Sequence, residues 1–122
     1  MRETVHIVDP EAHERARLAT ALTGEPLCVR TYASAEQFLE QVGEASSGCV
    51  LATADLPGPG VHALIDVIRD RGLSLAVIVV GDVSDFAAAV DMLRAGAIDF
   101  LERPVSDRRL RSAVREAVGA DH

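Results

Sequence analysis

The side chains best placed for chemistry gather around one stretch, Gly48-Cys-Val-Leu-Ala-Thr-Ala-Asp-Leu-Pro-Gly-Pro-Gly60. A short apolar run, Cys49–Ala52, leads into a hydroxyl, Thr53, and a carboxylate, Asp55. Two prolines and two glycines follow, so the run reads as a buried strand that ends in a loop. A second carboxylate, Asp9, closes another apolar run, Thr4-Val-His-Ile-Val8, and Pro10 comes next. In an open α/β sheet, ligands bind at the carboxyl ends of the strands. The chemistry on offer is therefore that of carboxylates and a hydroxyl at a ligand-binding edge.

Other chemistries have weaker claims. Cys28 and Cys49 lack metal-ligand spacing, and both fall in apolar strand-like runs, where a thiol reads as a small buried hydrophobe. His6, His13, His62 and His122 do not group with cysteine or carboxylate in a ligand pattern. No P-loop or dinucleotide glycine fingerprint is present.

A length of 122 residues sets a single domain, 1–122, with room for a real core. Hydrophobic residues make up 48% and aromatic ones only 3%, which leaves the core to Val, Leu, Ile and Ala. No apolar run nears the roughly 20 residues that span a bilayer. The polar first residues enter a strand almost at once, so no signal peptide is expected and a cytoplasmic location is the default. A net charge of −7 argues against nucleic acid as a direct partner.

The elements that must position Asp9, Thr53 and Asp55 alternate in type. Strand one is Thr4–Val8, and Pro10 suits the first turn of a helix. Ala12, Ala16, Leu18, Ala19 and Leu22 keep a helical period over 11–22. Leu27–Tyr32 is a second strand, and Ser34-Ala-Glu-Gln37 is a capping box for a helix carrying Phe38, Leu39 and Val42. Strand three is Cys49 to about Thr53, followed by a helix over Val61–Arg69 that Gly72 stops. Leu75–Val80 is apolar throughout, as in a parallel strand buried on both faces. The loop 82–85 caps an alanine-rich helix, Phe86–Ala95, closed by Gly96. Ile98–Leu101 is a fifth strand, and Ser106 caps a last helix through Val118.

Five β-α units predict an α/β fold, a doubly wound five-stranded parallel sheet of order 2-1-3-4-5, flavodoxin-like. Its switch point sets Asp9 beside the Thr53–Asp55 segment. The two cysteines then lie about 10 Å apart, two strand spacings, beyond the ~7 Å reach of a disulfide.

Val5-His-Ile-Val-Asp9, Ser34-Ala-Glu-Gln-Phe-Leu39, Gly48-Cys-Val-Leu51, Leu56-Pro-Gly58 and, most specifically, Ala95-Gly-Ala-Ile-Asp-Phe-Leu-Glu-Arg-Pro104 form a familiar series. Over essentially its whole length the chain resembles the receiver domain of two-component response regulators, most of all receivers that precede helix-turn-helix output domains. The resemblance implies phosphoryl transfer onto an aspartate at the end of strand three. It implies two acids after strand one that hold Mg²⁺, a lysine before a proline after strand five, and a Ser or Thr hydroxyl at the end of strand four.

This chain departs from the family pattern at most of those points. The first acid is Asp9, but the second position is Pro10, which offers no ligand, so Mg²⁺ binding is expected to be weak. The lysine position holds Arg103, a planar fork rather than a compact ammonium. The hydroxyl position falls on Gly81. The aromatic that rearranges in active receivers is matched by Phe100. Laid without a gap, the family pattern puts Thr53 at the acceptor position, and Asp55 stands two residues beyond it. The following loop is one residue short, and a local shift would carry the Asp55 carboxylate into the pocket.

Each of these residues has a plainer reading. Asp9 caps the helix that starts at Pro10, Asp55 is a solvated loop acid, and Thr53 is a structural hydroxyl or a kinase target. Arg103 pairs with Asp9 across an empty pocket. The leading expectation is a pseudo-receiver, not an enzyme, that works through protein partners or a homodimer on helix four, strand five and helix five. The alternatives are an active receiver that uses Asp55 and a small-ligand sensor on the same fold.

Overall fold

In a computed structural model, described here for residues 3–43, 46–82 and 86–119, strands and helices alternate from end to end. The order is β1 (Thr4–Val8), α1 (Ala12–Ala21), β2 (Cys28–Tyr32), α2 (Ala35–Gln41), β3 (Ser47–Thr53), α3 (Gly60–Asp70), β4 (Ser74–Gly81), α4 (Phe86–Ala95), β5 (Asp99–Glu102) and α5 (Asp107–Gly119). All strand pairs are parallel, in the order β2-β1-β3-β4-β5, as the alternation predicts.

Side-chain parity splits the core in two. Val5, Ile7, Cys49, Leu51, Ile78, Val80 and Leu101 face α1 and α5, where Leu18, Leu22, Leu110 and Val114 meet them. Val8, Val50, Ala52, Val77 and Val79 face the other way, onto Phe38 of α2, Leu64, Ile65 and Ile68 of α3, and Met92 of α4. Each fully buried Val, Leu or Ile contributes about 1.5–3 kcal/mol. The two faces together fix the register that aligns the carboxyl ends of the strands.

Local chemistry sets the element ends. Ser34 Oγ accepts from Gln37 N–H at 3.1 Å, and Gln37 Oε1 accepts from Ala33 N–H at 2.8 Å, so the capping box forms with its return bond one residue early. Gly48 has φ +114°, and a Cβ there would lie 1.9 Å from the Thr4 carbonyl oxygen. Only glycine lets β3 start this close to β1.

The structure corrects several expectations. The first helix begins at Ala12 with Glu11 as its N-cap, not at Pro10. β3 starts at Ser47, two residues before Cys49. β5 starts at Asp99; Ile98 N–H still bonds the Val77 carbonyl, but the Ile98 side chain is exposed. Cys49 is buried as expected, whereas Cys28 is exposed. Cys28 starts the edge strand β2, and α2, only seven residues long, sets Phe38 against Tyr32 at the strand's far end. Both thiols are free. The expected cap over 82–85, the linker residues 44 and 45, and the tail 120–122 lie wholly or partly outside the described residues. Among the described residues no helix is long and apolar enough to cross a membrane.

Candidate functional site

The carboxyl ends of β1, β3, β4 and β5 converge, and a crevice of about 300 Å³ opens between them. Asp9, Pro10, Glu11, Glu14, Thr53, Asp55 and Arg103 line it. The sheet order thus brings together the residues singled out on β1, β3 and β5, with β4 between the last two.

Asp9 follows β1 and is 3% exposed. Its N–H donates to the Tyr32 carbonyl at 3.1 Å, and its own carbonyl accepts from Arg15 Nη1 at 2.6 Å. Its Oδ1 accepts from Glu11 N–H at 2.9 Å. Asp9 therefore braces the turn into α1, while the N-cap bond itself runs from Glu14 N–H to the Glu11 side chain. Burial pushes the Asp9 carboxyl above its usual range; the Glu11 N–H and the Arg103 charge oppose that shift.

Thr53 ends β3 and is also buried. Its Oγ1 accepts from Asp55 N–H at 3.2 Å and from Arg103 Nη2 at 2.5 Å. The other Arg103 nitrogen, Nη1, donates to Asp55 Oδ2 at 3.2 Å and lies 3.8 Å from Asp82 Oδ1. The Arg103 side chain is 20% exposed and that of Asp55 75%. The main chain joins in, since Arg103 N–H donates to the Gly81 carbonyl at 2.8 Å.

The expected pair of Arg103 with Asp9 does not form. Arg103 leaves β5 and crosses the end of β4, so it meets the end of β3 first. Asp9 is one strand further on, another ~4.8 Å, and is already held by Glu11 N–H. Asp55 is exposed, as a solvated loop acid would be, but it also lines the crevice and carries the arginine.

Gly81 is buried at the end of β4, where a hydroxyl was looked for. The Phe100 ring reaches the space its missing side chain leaves. Glu11 and Glu14 are site residues that sequence reasoning missed. Their one signal was position, within a turn of the Asp9-Pro10 step.

The chemistry of the crevice follows from its charges. Four carboxylates and one guanidinium line it, so an anionic ligand meets net repulsion unless a cation accompanies it.

The family model described as the response regulator receiver domain matches residues 5–115. The transcriptional regulatory protein FixJ of Azorhizobium caulinodans is 34% identical over 115 residues, covering 94% of this chain and 54% of FixJ. The C4-dicarboxylate transport transcriptional regulatory protein DctR of Rhodobacter capsulatus is 32% identical over 122 residues, covering 98% of this chain and 62% of DctR. The crystal structure of FixJ-N superposes with a TM-score of 0.88 at 31% identity, over 98% of this chain and 95% of that one. The fold and the converging strand ends are those of a signal-receiving domain. The chain belongs to the receiver domain family of two-component response regulators. It spans just over half the length of FixJ and about three fifths of DctR.

Receiver domains take Mg²⁺ for phosphorylation, and the donors present here do not fit that ion. Pro10 supplies no side-chain oxygen, one Asp9 oxygen is taken by Glu11 N–H, and the Asp55 carboxylate lies on Arg103. Among the described residues no three His, Cys, Asp or Glu side chains converge where a metal would sit. An octahedral, oxygen-rich shell has too few anchors.

Proposed function

We propose that this receiver domain is a pseudo-receiver, a signalling module that acts through protein contacts without a phosphoaspartate cycle. The observation that carries the reading is the closure of the strand-three end. Thr53 stands there, its hydroxyl takes two donors, and the cation that would meet a phosphoryl group is already held by Thr53 and Asp55. A threonine hydroxyl does not give an acyl phosphate. With Pro10 beside Asp9, Mg²⁺ binds weakly, and the net negative crevice repels a phosphodonor. All twelve basic residues of the chain are arginine, so Arg103 alone weighs less in this reading than Thr53 and Pro10. Residues 1–122 work as one receiver unit.

The working surface is α4, β5 and α5. Phe86, Leu93 and Ile98 are the large apolar side chains left exposed among the described residues. Phe86 and Leu93 lie two turns apart on one side of α4. Such a patch marks a protein contact more often than a lone exposed leucine does. The partner is a protein or a second copy of this chain; at −7 the domain does not itself hold nucleic acid.

One observation favours an active receiver instead: Asp55 lines the crevice, is open to solvent and sits 3.2 Å from Arg103. Intact mass after incubation with acetyl phosphate and Mg²⁺ separates the two. The pseudo-receiver gains no phosphoryl group while a matched active receiver labels. A gain in wild type and in Thr53→Ala that is lost in Asp55→Asn would establish Asp55 as the acceptor and end the present reading.

A further inference from the structure

The end of β4 lacks a side chain for a reason that is not backbone geometry. Gly81 is buried and is not among the residues with positive φ. What an added side chain lacks is room. A Cβ at this position would lie 2.7 Å from the Ala54 Cβ and 2.8 Å from Phe100 Cζ, with Cε2 of the same ring at 3.4 Å. Carbon atoms do not rest that close.

Phe100 pairs with Val79 and Glu102 with Gly81, so Phe100 and Gly81 share one face of neighbouring strands, on a diagonal. The tip of the ring therefore stands where a side chain on residue 81 would stand. Main-chain bonds frame this slot. Ala54 N–H donates to the Val80 carbonyl and Arg103 N–H to the Gly81 carbonyl, both at 2.8 Å. The Arg103 fork then ties β5 to Thr53 and Asp55 on the far side.

We propose that Gly81 and Ala54 form a slot that holds the Phe100 ring permanently against the end of β4, fixing the β5 part of the docking face in a single arrangement. A side chain on residue 81 would take the space that the ring tip occupies; with glycine there, that space is left to the ring. A partner that docks on α4 and β5 then loses no affinity to a minor population, because the competent arrangement is the resting one. The same ring lines a crevice of about 480 Å³ with Glu102, Pro104 and Arg109, which a fixed ring keeps in one shape. The inference rests on the phosphorylation-independent reading for its use in signalling, and its geometry is tested separately.

The chain has only three phenylalanines, Phe38, Phe86 and Phe100, so protein labelled with ¹³C at phenylalanine Cζ gives three assignable NMR signals. The expected result is one Phe100 signal with contacts from its ring-tip proton to the Gly81 α-protons and the Ala54 methyl, unchanged by acetyl phosphate with Mg²⁺. Two exchanging Phe100 signals, or no contact to Gly81, would overturn the proposal. In Gly81→Ser those contacts are lost while the Phe38 signal persists. Gly81→Ser also lowers the melting temperature less in a Phe100→Ala background than in wild type, and equal drops would show that the ring does not fill the slot. If Gly81→Ser does not fold, the wild-type contacts decide alone. A phosphorylated domain with an unmoved ring would refute the pseudo-receiver and leave the slot standing. An unphosphorylated domain with an exchanging ring would do the reverse.

Discussion

Among the described residues, three polar side chains are buried on the β1–β3 side of the sheet, His6, Asp9 and Thr53, while three large apolar ones stand in solvent on the α4–β5 side, Phe86, Leu93 and Ile98. Each of the three has an internal partner, although the buried Nε2 of His6 has none. His6 Nδ1 is 3.0 Å from the Tyr32 hydroxyl, in a ring cluster with Phe38. Asp9 holds Glu11 N–H, and Thr53 holds Arg103 and Asp55 N–H. The exposed apolar groups stand without such cover. Polarity turned inward is polarity withdrawn from chemistry, and apolar surface turned outward is surface offered to a partner. The proposed surface-based reading rests on this contrast.

The largest expected effect comes from acid on the polar side. Burial, aided by the nearby Arg30 charge, holds His6 down to about 4 from its usual 6.5. The unfolded chain therefore takes up its proton first. Stability from this group is whole above pH 6.5 and drains as pH falls toward 4, by up to about 3 kcal/mol. Urea unfolding across that window should show the loss, and His6→Gln should flatten it; an unchanged slope would assign it elsewhere. Asp9 has the opposite sign. Its folded carboxyl is raised, so the folded state binds the proton first and stability from this group rises as pH drops. Asp9→Asn keeps an acceptor for Glu11 N–H, and it should leave stability at neutral pH unchanged or higher while removing that acid gain.

Next in size is the link between the two sides. Arg103→Ala strips the buried Thr53 hydroxyl of its charged donor and should cost about 1–3 kcal/mol by urea unfolding at constant m-value. Arg103→Lys should recover only part, because one ammonium lacks the fork that meets Thr53 and Asp55 together. Asp55→Ala removes only the exposed ion pair and should cost less than about 1 kcal/mol, with a dependence on salt. If Asp55→Ala cost as much as Arg103→Ala, the ion pair and not the buried bond would hold the two sides together.

The smallest effect on stability is expected on the apolar side. Phe86→Ser and Leu93→Ser should change monomer stability by no more than about 0.5 kcal/mol, yet weaken association the most. A large loss of stability in either would mean that the side chain belongs to the fold.

Much of this arrangement was legible in the chain. The apolar runs of β1, β3 and β4, each followed by a helical period, pointed to a doubly wound parallel sheet, and laying the receiver pattern over 48–58 without a gap put Thr53 at the acceptor position, the end of β3. Partners were harder to read, because they depend on which strand end a long side chain meets first. Arg103 was assigned to Asp9 and bonds Thr53 and Asp55 instead. His6 passed as one letter of an apolar run, and its burial shows only once Tyr32 and Phe38 close over it. Cys28 looked apolar by its neighbours, but an edge strand left partly uncovered by a short helix exposes it. The space at Gly81 was invisible without the Phe100 ring beside it.

The central claim is that the α4–β5–α5 face works without a phosphoryl group, and sedimentation equilibrium tests it most directly. Wild type and Leu93→Arg would be compared, each with and without acetyl phosphate and Mg²⁺. The account predicts a reversible dimer in wild type whose dissociation constant is the same in both conditions and which Leu93→Arg abolishes. A wild-type chain that dimerises only when the phosphodonor is present would contradict it.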